Sequence, residues 1–244
     1  MARIDSLLQT ALQGLPAKPN DSAKQSEKKR YSELISEAVA LAIAEDLRSR
    51  GLKEARPGSP GDFGGSGAER RMAGGLGAKK VDVTWATEEA GLLLGISIKT
   101  INFKDGKTGN YQKNLVNRRG DMLMEAVTLH RRFPYAVLAA FFFLNKGAQN
   151  DNTPRRKSTF ANAHARLKLF TGRDDPAGRD EQFERFYLLL LDADPVSSTV
   201  RAYEVGKPDN EIALDKIMKE LLTIAAERNP DFYEMDGDNL RPVT

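Results

Sequence analysis

The stretch KKVDVTWATEEAGLLLGISIKTI, residues 79–101, predicts a β-hairpin around which the rest of the chain is organised. We expect a first strand over residues 79–86 and a second over residues 92–101. The polar loop between them, residues 88–91, ends in Gly91, which is free to adopt a positive φ. The second strand is apolar on both faces, which predicts a central position in a buried sheet.

The alternation of side chains along a strand places three polar groups together. Ser97 and Lys99 share one face of the second strand, and Asp82 lies on the polar face of the first. If Thr87 pairs with Leu92, Asp82 lies opposite Ser97. A carboxylate, a hydroxyl and an ammonium then stand side by side. The opposite, apolar face is predicted to consist of Val81, Val83, Trp85, Leu92, Leu94, Ile96 and Ile98.

Two interpretations of Asp82 and Lys99 follow from this placement. The simpler one is an ion pair at the edge of a sheet, which needs no ligand. The other is a metal site, in which Asp82 binds a hard cation such as Mg²⁺. A lysine beside such a cation stabilises negative charge on a phosphate or orients the attacking water.

The same residues resemble the PD-(D/E)xK nuclease superfamily of restriction endonucleases and related DNA-cutting enzymes. Its signature is an Asp, a variable spacer and Asp/Glu-x-Lys on the adjacent strand. Asp82 matches the first metal ligand and Lys99 the lysine, but Ser97 stands where the signature has its second acid. The resemblance implies a Mg²⁺ or Mn²⁺ site formed by Asp82, a main-chain carbonyl at Ile98 and a glutamate from elsewhere.

The resemblance also implies a glutamate on the helix before the hairpin, directed at the metal. Residues 28–50 predict that helix, and Gly51 ends it. Glu37 lies at the border of its apolar face and is our candidate, with Glu33 in reserve. The alternative is that Glu37 is an ordinary solvated residue. The predicted apolar face consists of Tyr31, Leu34, Ala38, Leu41 and Ala42.

After the hairpin, residues 114–132 predict a helix and residues 135–144 a buried strand parallel to the second hairpin strand. The predicted core face of this helix consists of Met122, Leu123, Ala126 and Leu129. We therefore expect an α/β fold, with a restriction-endonuclease-like mixed sheet flanked by helices. Its core order would be helix, β-hairpin, helix, strand. Strands over 182–191 and 199–205 and a helix over 209–227 would form a C-terminal β-β-α extension.

The composition predicts three segments. Residues 1–27 would be a flexible N-terminal segment, although residues 1–15 could form a short helix. Residues 28–205 would form the nuclease-like domain, including a flexible glycine-rich loop over 51–78. Residues 206–244 would contribute a helix and an irregular acidic tail packed on the same domain.

Cysteine is absent from the chain, which excludes disulfides, zinc–thiolate sites and cysteine nucleophiles and fits a cytoplasmic location. No apolar window is long enough to span a membrane, and the N-terminus lacks a signal-peptide pattern. The two histidines, His130 and His164, each stand alone without metal-ligand spacing.

Positive charge is concentrated in the middle of the chain. Residues 99–173 contain 15 Lys and Arg against 4 Asp and Glu, a net charge of +11, whereas residues 174–244 have a net charge of −9. A positive field beside a metal–phosphate site suits a nucleic-acid enzyme. The alternative is a solvated basic surface without a partner. The predicted DNA-binding residues are Lys113, Arg118, Arg119, Arg155, Arg156 and Lys157.

These observations favour a Mg²⁺-dependent DNA endonuclease, of a restriction or phage-defence type. Asp82, Ser97, Lys99 and Glu37 form its predicted active site. One rival is a nucleic-acid-binding module that keeps the fold without cutting, which the serine at position 97 favours. Another is an assembly subunit whose basic block meets an acidic partner. The oligomeric state stays open, a homodimer included.

Overall fold

The structure is a computed structural model that describes residues 2–58, 70–74 and 77–243. It is a mixed α/β fold. The helices are α1 (Arg3–Gln13), α2 (Gln25–Ser49), α3 (Leu115–His130), α4 (Thr159–Leu167) and α5 (Leu214–Arg228). The strands are β1 (Arg70–Gly74), β2 (Gly77–Val81), β3 (Val83–Thr87), β4 (Gly91–Ile101), β5 (Val137–Asn145), β6 (Arg185–Asp192), β7 (Thr199–Glu204), β8 (Glu211–Ile212), β9 (Tyr233–Asp236) and β10 (Asn239–Pro242).

Six strands form the main sheet, in the order β3-β4-β5-β6-β7-β8. β4, β5 and β6 are parallel, and the remaining pairs are antiparallel. The predicted parallel pairing of β4 and β5, with α3 as the crossover, is confirmed. The predicted C-terminal strands and helix form as β6, β7 and α5, and the pairing of β6 with β5 makes both strands a continuation of the main sheet.

The hairpin forms with two differences from the prediction. Its first strand is broken at Asp82, so that β2 pairs with β1 in a separate small sheet and only β3 pairs with β4. Thr87 pairs with Gly91 rather than with Leu92, but an irregularity between Trp85 and Ala86 takes up one residue of β4. Beyond this irregularity Val83 pairs with Ile96, so Asp82 lies at the level of Ser97, as predicted. Gly91 has the expected positive φ, 69°.

Helices cover both faces of the sheet. α1, α2 and α5 pack on one face, and α3 and α4 on the other. Leu92 belongs to the α3 side, contrary to prediction, because the irregularity in the hairpin reverses the side-chain alternation there. The buried stripe of α2 also lies one position away from the predicted one. It consists of Tyr31, Ile35, Val39, Ala42, Ile43 and Leu47.

Both ends of the chain pack against the core. Ile4, Leu8 and Leu12 of α1 are at most 2% exposed, so this helix is part of the core although residues 1–27 were predicted to be flexible. The tail predicted to be irregular contains the β9–β10 hairpin, and the Tyr233 ring packs against Trp85 at 4.9 Å. Of the predicted loop over 51–78, residues 59–69 and 75–76 lie outside the described residues, whereas 70–74 and 77–78 belong to the strands β1 and β2. Within the described ranges, no helix is long and apolar enough to cross a membrane.

Candidate active site

Asp82, Lys99 and Glu125 meet at the carboxyl end of β4. The Lys99 ammonium lies 3.5 Å from Asp82 Oδ2 and 3.4 Å from Glu125 Oε2. The Asp82 carboxylate also accepts a hydrogen bond of 2.5 Å from the Ile98 amide. Because β3 begins only at Val83, the Asp82 side chain takes the place of a strand partner at Ile98. The structure therefore places Asp82 and Lys99 side by side, as the strand alternation predicted.

Glu125 is the site residue that sequence reasoning missed. It lies on α3, on the same buried face as Met122 and Ala126, and is only 5% exposed. A glutamate inside an apolar helical stripe is a signal that was present in the sequence, because a lone buried carboxylate is costly unless it has a partner or a function. The second carboxylate beside Lys99 therefore comes from the crossover helix and not from β4.

The charges of this cluster shift one another's pKa values. Burial acts to lower the pKa of Lys99, but the negative charges of Glu125 and Asp82 outweigh it and the pKa rises, so the ammonium stays charged. Burial is the main cause that raises the pKa of Glu125, and the nearby charge of Asp82 adds to it despite the opposing charge of Lys99. Glu125 therefore keeps its proton to a higher pH than a solvated glutamate does.

Two buried polar atoms at the site lack a well-formed hydrogen bond. Ser97 Oγ and Glu125 Oε1 form no hydrogen bond of good geometry with a described residue, although the Ser97 hydroxyl lies near enough to the Glu125 carboxylate to act to lower its pKa. Buried polar atoms are nearly always hydrogen-bonded, so each exception calls for an explanation. A ligand at the end of β4 would satisfy the Glu125 carboxylate.

The donor set fits Mg²⁺. In the described part of the chain, no group of three or more His, Cys, Asp or Glu side chains could hold a metal. Mg²⁺, however, commonly takes one or two carboxylates and fills its remaining positions with water and substrate phosphate. Asp82 and Glu125 supply the two carboxylates. The Ile98 carbonyl is directed toward the same side as its amide, which contacts Asp82.

The cluster lies in a cleft of about 1500 Å³. Its walls are the first half of α2, the loop after β4 and the first turns of α3. Glu37 lines this cleft but is exposed, and it makes no ion pair or hydrogen bond among the described residues. Glu33 faces Lys29 at 3.8 Å. The structure therefore places the predicted glutamate of α2 on the wall and Glu125 in the charged cluster.

The predicted DNA-binding residues divide into two groups. Lys113 and Arg118 line the cleft, where they face Asp105 at 2.7 Å and Asp121 at 3.7 Å. Arg119 lies outside the lining, with its guanidinium 5.8 Å from the centre of the Phe170 ring.

The basic loop over residues 155–157 also lies outside the cleft lining. The Arg156 guanidinium is bound to Asp151, through its main-chain carbonyl and, at 3.9 Å, its carboxylate. Arg155 and Lys157 are exposed. Four further cations line the cleft that sequence reasoning did not select. They are Lys28, Lys29, Lys80 and Lys104.

Neither histidine belongs to the site. His130 Nε2 lies 3.2 Å from the buried Glu184 carboxylate, so it does not stand alone as the sequence suggested. His164 Nδ1 accepts a hydrogen bond of 3.0 Å from the Gly206 amide, and burial lowers its pKa to about 4. His164 is therefore a neutral core residue at physiological pH.

Comparison of this chain with protein-family models, with curated proteins and with solved structures finds no match.

Proposed function

We propose that this chain is a Mg²⁺-dependent DNA endonuclease that hydrolyses phosphodiester bonds. One observation carries the proposal: Asp82, Lys99 and Glu125 converge in the cleft at the end of β4. A carboxylate pair beside a lysine is suited to a metal-assisted attack on a phosphate. Mn²⁺ has a similar preference for oxygen ligands and is expected to replace Mg²⁺.

Each residue has a distinct role in this proposal. Asp82, Glu125 and the Ile98 carbonyl would hold the metal, which when bound polarises a phosphoryl oxygen and lowers the pKa of a bound water. The Ile98 amide fixes the orientation of the Asp82 carboxylate. Lys99 is held charged by both carboxylates, so that it can neutralise the charge that develops on the phosphoryl oxygens.

The hydrolysis step needs no other reactant than water. The water oxygen attacks phosphorus and the water releases one proton to solvent, the bond from phosphorus to the leaving sugar oxygen breaks, and the leaving oxygen takes up a proton from solvent. Lys99, which is charged and lines the cleft, contacts both Glu125 and Asp82. Ser97 lacks a carboxylate and contributes only its buried hydroxyl beside this cluster.

A second candidate is a nucleic-acid-binding module that does not cut. The observation that favours it is the position of Lys99, which contacts both carboxylates and balances one of their two charges. In that case the cluster would be a structural ion triad, and the cleft would bind nucleic acid without chemistry.

The test is cleavage by the purified protein of modified and unmodified plasmid and linear duplex DNA. We expect cutting with Mg²⁺ or Mn²⁺ and none with EDTA. Glu125→Gln should abolish it, and Glu37→Gln is the matched control, because Glu37 lines the same cleft without contacting the cluster. Salt-dependent binding without any cutting would favour the binding module. Equal activity of Glu125→Gln and wild type would contradict the proposed site.

A further inference from the structure

Gly120 is a glycine that the fold itself does not need. It lies in the interior of α3, where glycine is less favourable than alanine. It has no positive φ, and a Cβ built at this position meets no atom within 4 Å among the described residues. Neither backbone conformation nor internal packing therefore requires a glycine here. A glycine at this exposed position leaves room for the close approach of a partner outside the fold.

Two of the neighbours of Gly120 on the helix surface are exposed and apolar, whereas Asn117 beside them is exposed and polar. Val116 and Met124 precede and follow it by four residues, so the three share one face of α3. Val116 is 51% exposed and Met124 is 44% exposed. The face therefore presents two apolar side chains with a gap between them at Gly120. We call Val116, Gly120 and Met124 the α3 stripe.

The α3 stripe leads directly to the candidate active site. All three residues line the cleft, and Glu125 follows Met124 in the sequence. Glu125 is 5% exposed and its Oε1 atom has no partner among the described residues. The stripe and Glu125 line the same cleft, so a ligand that fills the cleft can contact both.

We propose that the sugar–phosphate backbone of a DNA strand crosses α3 at Gly120, between Val116 and Met124, on its way to Lys99 and Glu125. This inference rests on the proposed endonuclease function and identifies how the strand is positioned. The apolar edge of a deoxyribose suits Val116 and Met124, and the absence of a Cβ lets the backbone approach the helix.

Charge in the cleft supports a nucleic acid rather than an apolar partner. Lys104 lines the same cleft and forms no ion pair within the part of the chain that the structure describes. Lys28 lines it as well, on the α2 wall. Cations across from an apolar stripe match a strand that is anionic along its phosphates and apolar along its sugars.

The test is a size series at Gly120. Gly120→Ala and Gly120→Leu are compared with wild type for binding of a fluorescein-labelled duplex, with Ca²⁺ in place of Mg²⁺ to prevent cutting, and for cleavage with Mg²⁺. We expect Gly120→Ala to raise the Tm and yet to weaken duplex binding about tenfold, with a larger loss for Gly120→Leu. The gain in Tm shows that the loss does not come from unfolding.

Gly14→Ala and Gly14→Leu are the matched controls. Gly14 ends α1, away from the cleft, and a Cβ there meets only ordinary contacts, the nearest at 3.6 Å. These variants should bind and cut like wild type. If the Gly120 variants do so too while wild type binds and cuts DNA, the crossing at Gly120 is overturned and the proposed function stands. If wild type neither binds nor cuts DNA, both are overturned. Dissociation of a wild-type dimer by Gly120→Leu would assign the stripe to a second copy of the chain.

Discussion

Helix α3 takes part in two buried charged clusters that differ in how completely their carboxylates are satisfied. Near its middle, Glu125 faces Lys99 and keeps one oxygen atom without a partner among the described residues. At its end, His130 contacts Glu184, which also accepts hydrogen bonds from three other donors. Those donors are the Leu138 amide and the guanidinium groups of Arg173 and Arg228.

The pKa shifts of the two glutamates go in opposite directions. Burial would raise the pKa of both. For Glu184, the hydrogen bond and charge of His130 and the charge of Arg228 outweigh burial, and the pKa is lowered. For Glu125, burial prevails and the pKa is raised. A buried carboxylate whose two oxygens are both hydrogen-bonded thus stabilises the fold. A carboxylate at a cleft that keeps one oxygen without a hydrogen bond can still bind a ligand.

The largest expected effect is on cleavage. Asp82→Ala and Glu125→Gln should each reduce the rate of DNA cleavage by about 10⁴-fold or more, because each removes one of the two carboxylates proposed to hold the metal. Single-turnover cleavage measures the rate, and thermal unfolding should show two folded proteins, with a nearly unchanged Tm for Glu125→Gln and a lowered Tm for Asp82→Ala, which leaves the Ile98 amide without its acceptor. A variant that cuts at the wild-type rate would make this cluster structural, like that of Glu184.

The next effect is on stability. Glu184→Gln should lower the free energy of unfolding by about 3–5 kcal/mol, because it leaves the buried cations Arg173 and Arg228 without their anion. Cleavage per folded molecule should persist. Urea unfolding measures the change, with Glu181→Gln as the control, since Glu181 is paired only at the surface with Arg179. A loss below about 1 kcal/mol would remove the proposed contrast between the clusters.

A smaller effect concerns phosphate contacts. Replacing Lys28 and Lys104 of the cleft with Ala should reduce the slope of log K against log salt for duplex binding by about two. Replacing Arg155, Arg156 and Lys157 should change that slope less, because this loop lies outside the cleft lining and Arg156 is held by Asp151. Fluorescence anisotropy over a salt series compares the two variants. The reverse order would move the main DNA contact to the loop.

The smallest effects are those of pH. Since the pKa of Glu125 is raised and a metal ligand has to lose its proton, cleavage should fall on the acid side, and Glu125→Gln should not lower the Tm at neutral pH. Glu184 has the opposite sign: its lowered pKa gives stability above the unfolded-state pKa, and that stability is lost as pH falls through the folded-state pKa. Cleavage and Tm profiles against pH measure the two separately. Coincident midpoints would mean that acid inactivation is unfolding.

Much of the candidate site was predictable from local patterns. The alternation along residues 79–101 predicted the hairpin and the meeting of Asp82 with Lys99, even though the paired residues near the turn were wrong by one. Glu37 was chosen from its place at the edge of a helical stripe whose buried positions were misassigned. Glu125 needed a different rule, namely that a charged residue within an apolar stripe is itself a candidate.

The sequence by itself determined the apolar strands, the helices and the two hairpin residues of the site, because period-two and period-3.6 patterns act over a few residues. Tertiary structure decided what joins distant segments. It placed β6 inside the main sheet, broke the first hairpin strand at Asp82 and docked α3 so that Glu125 reaches Lys99. It also held Arg119 over Phe170, away from the cleft. These outcomes depend on which faces pack together, and no periodicity within one segment specifies its partner.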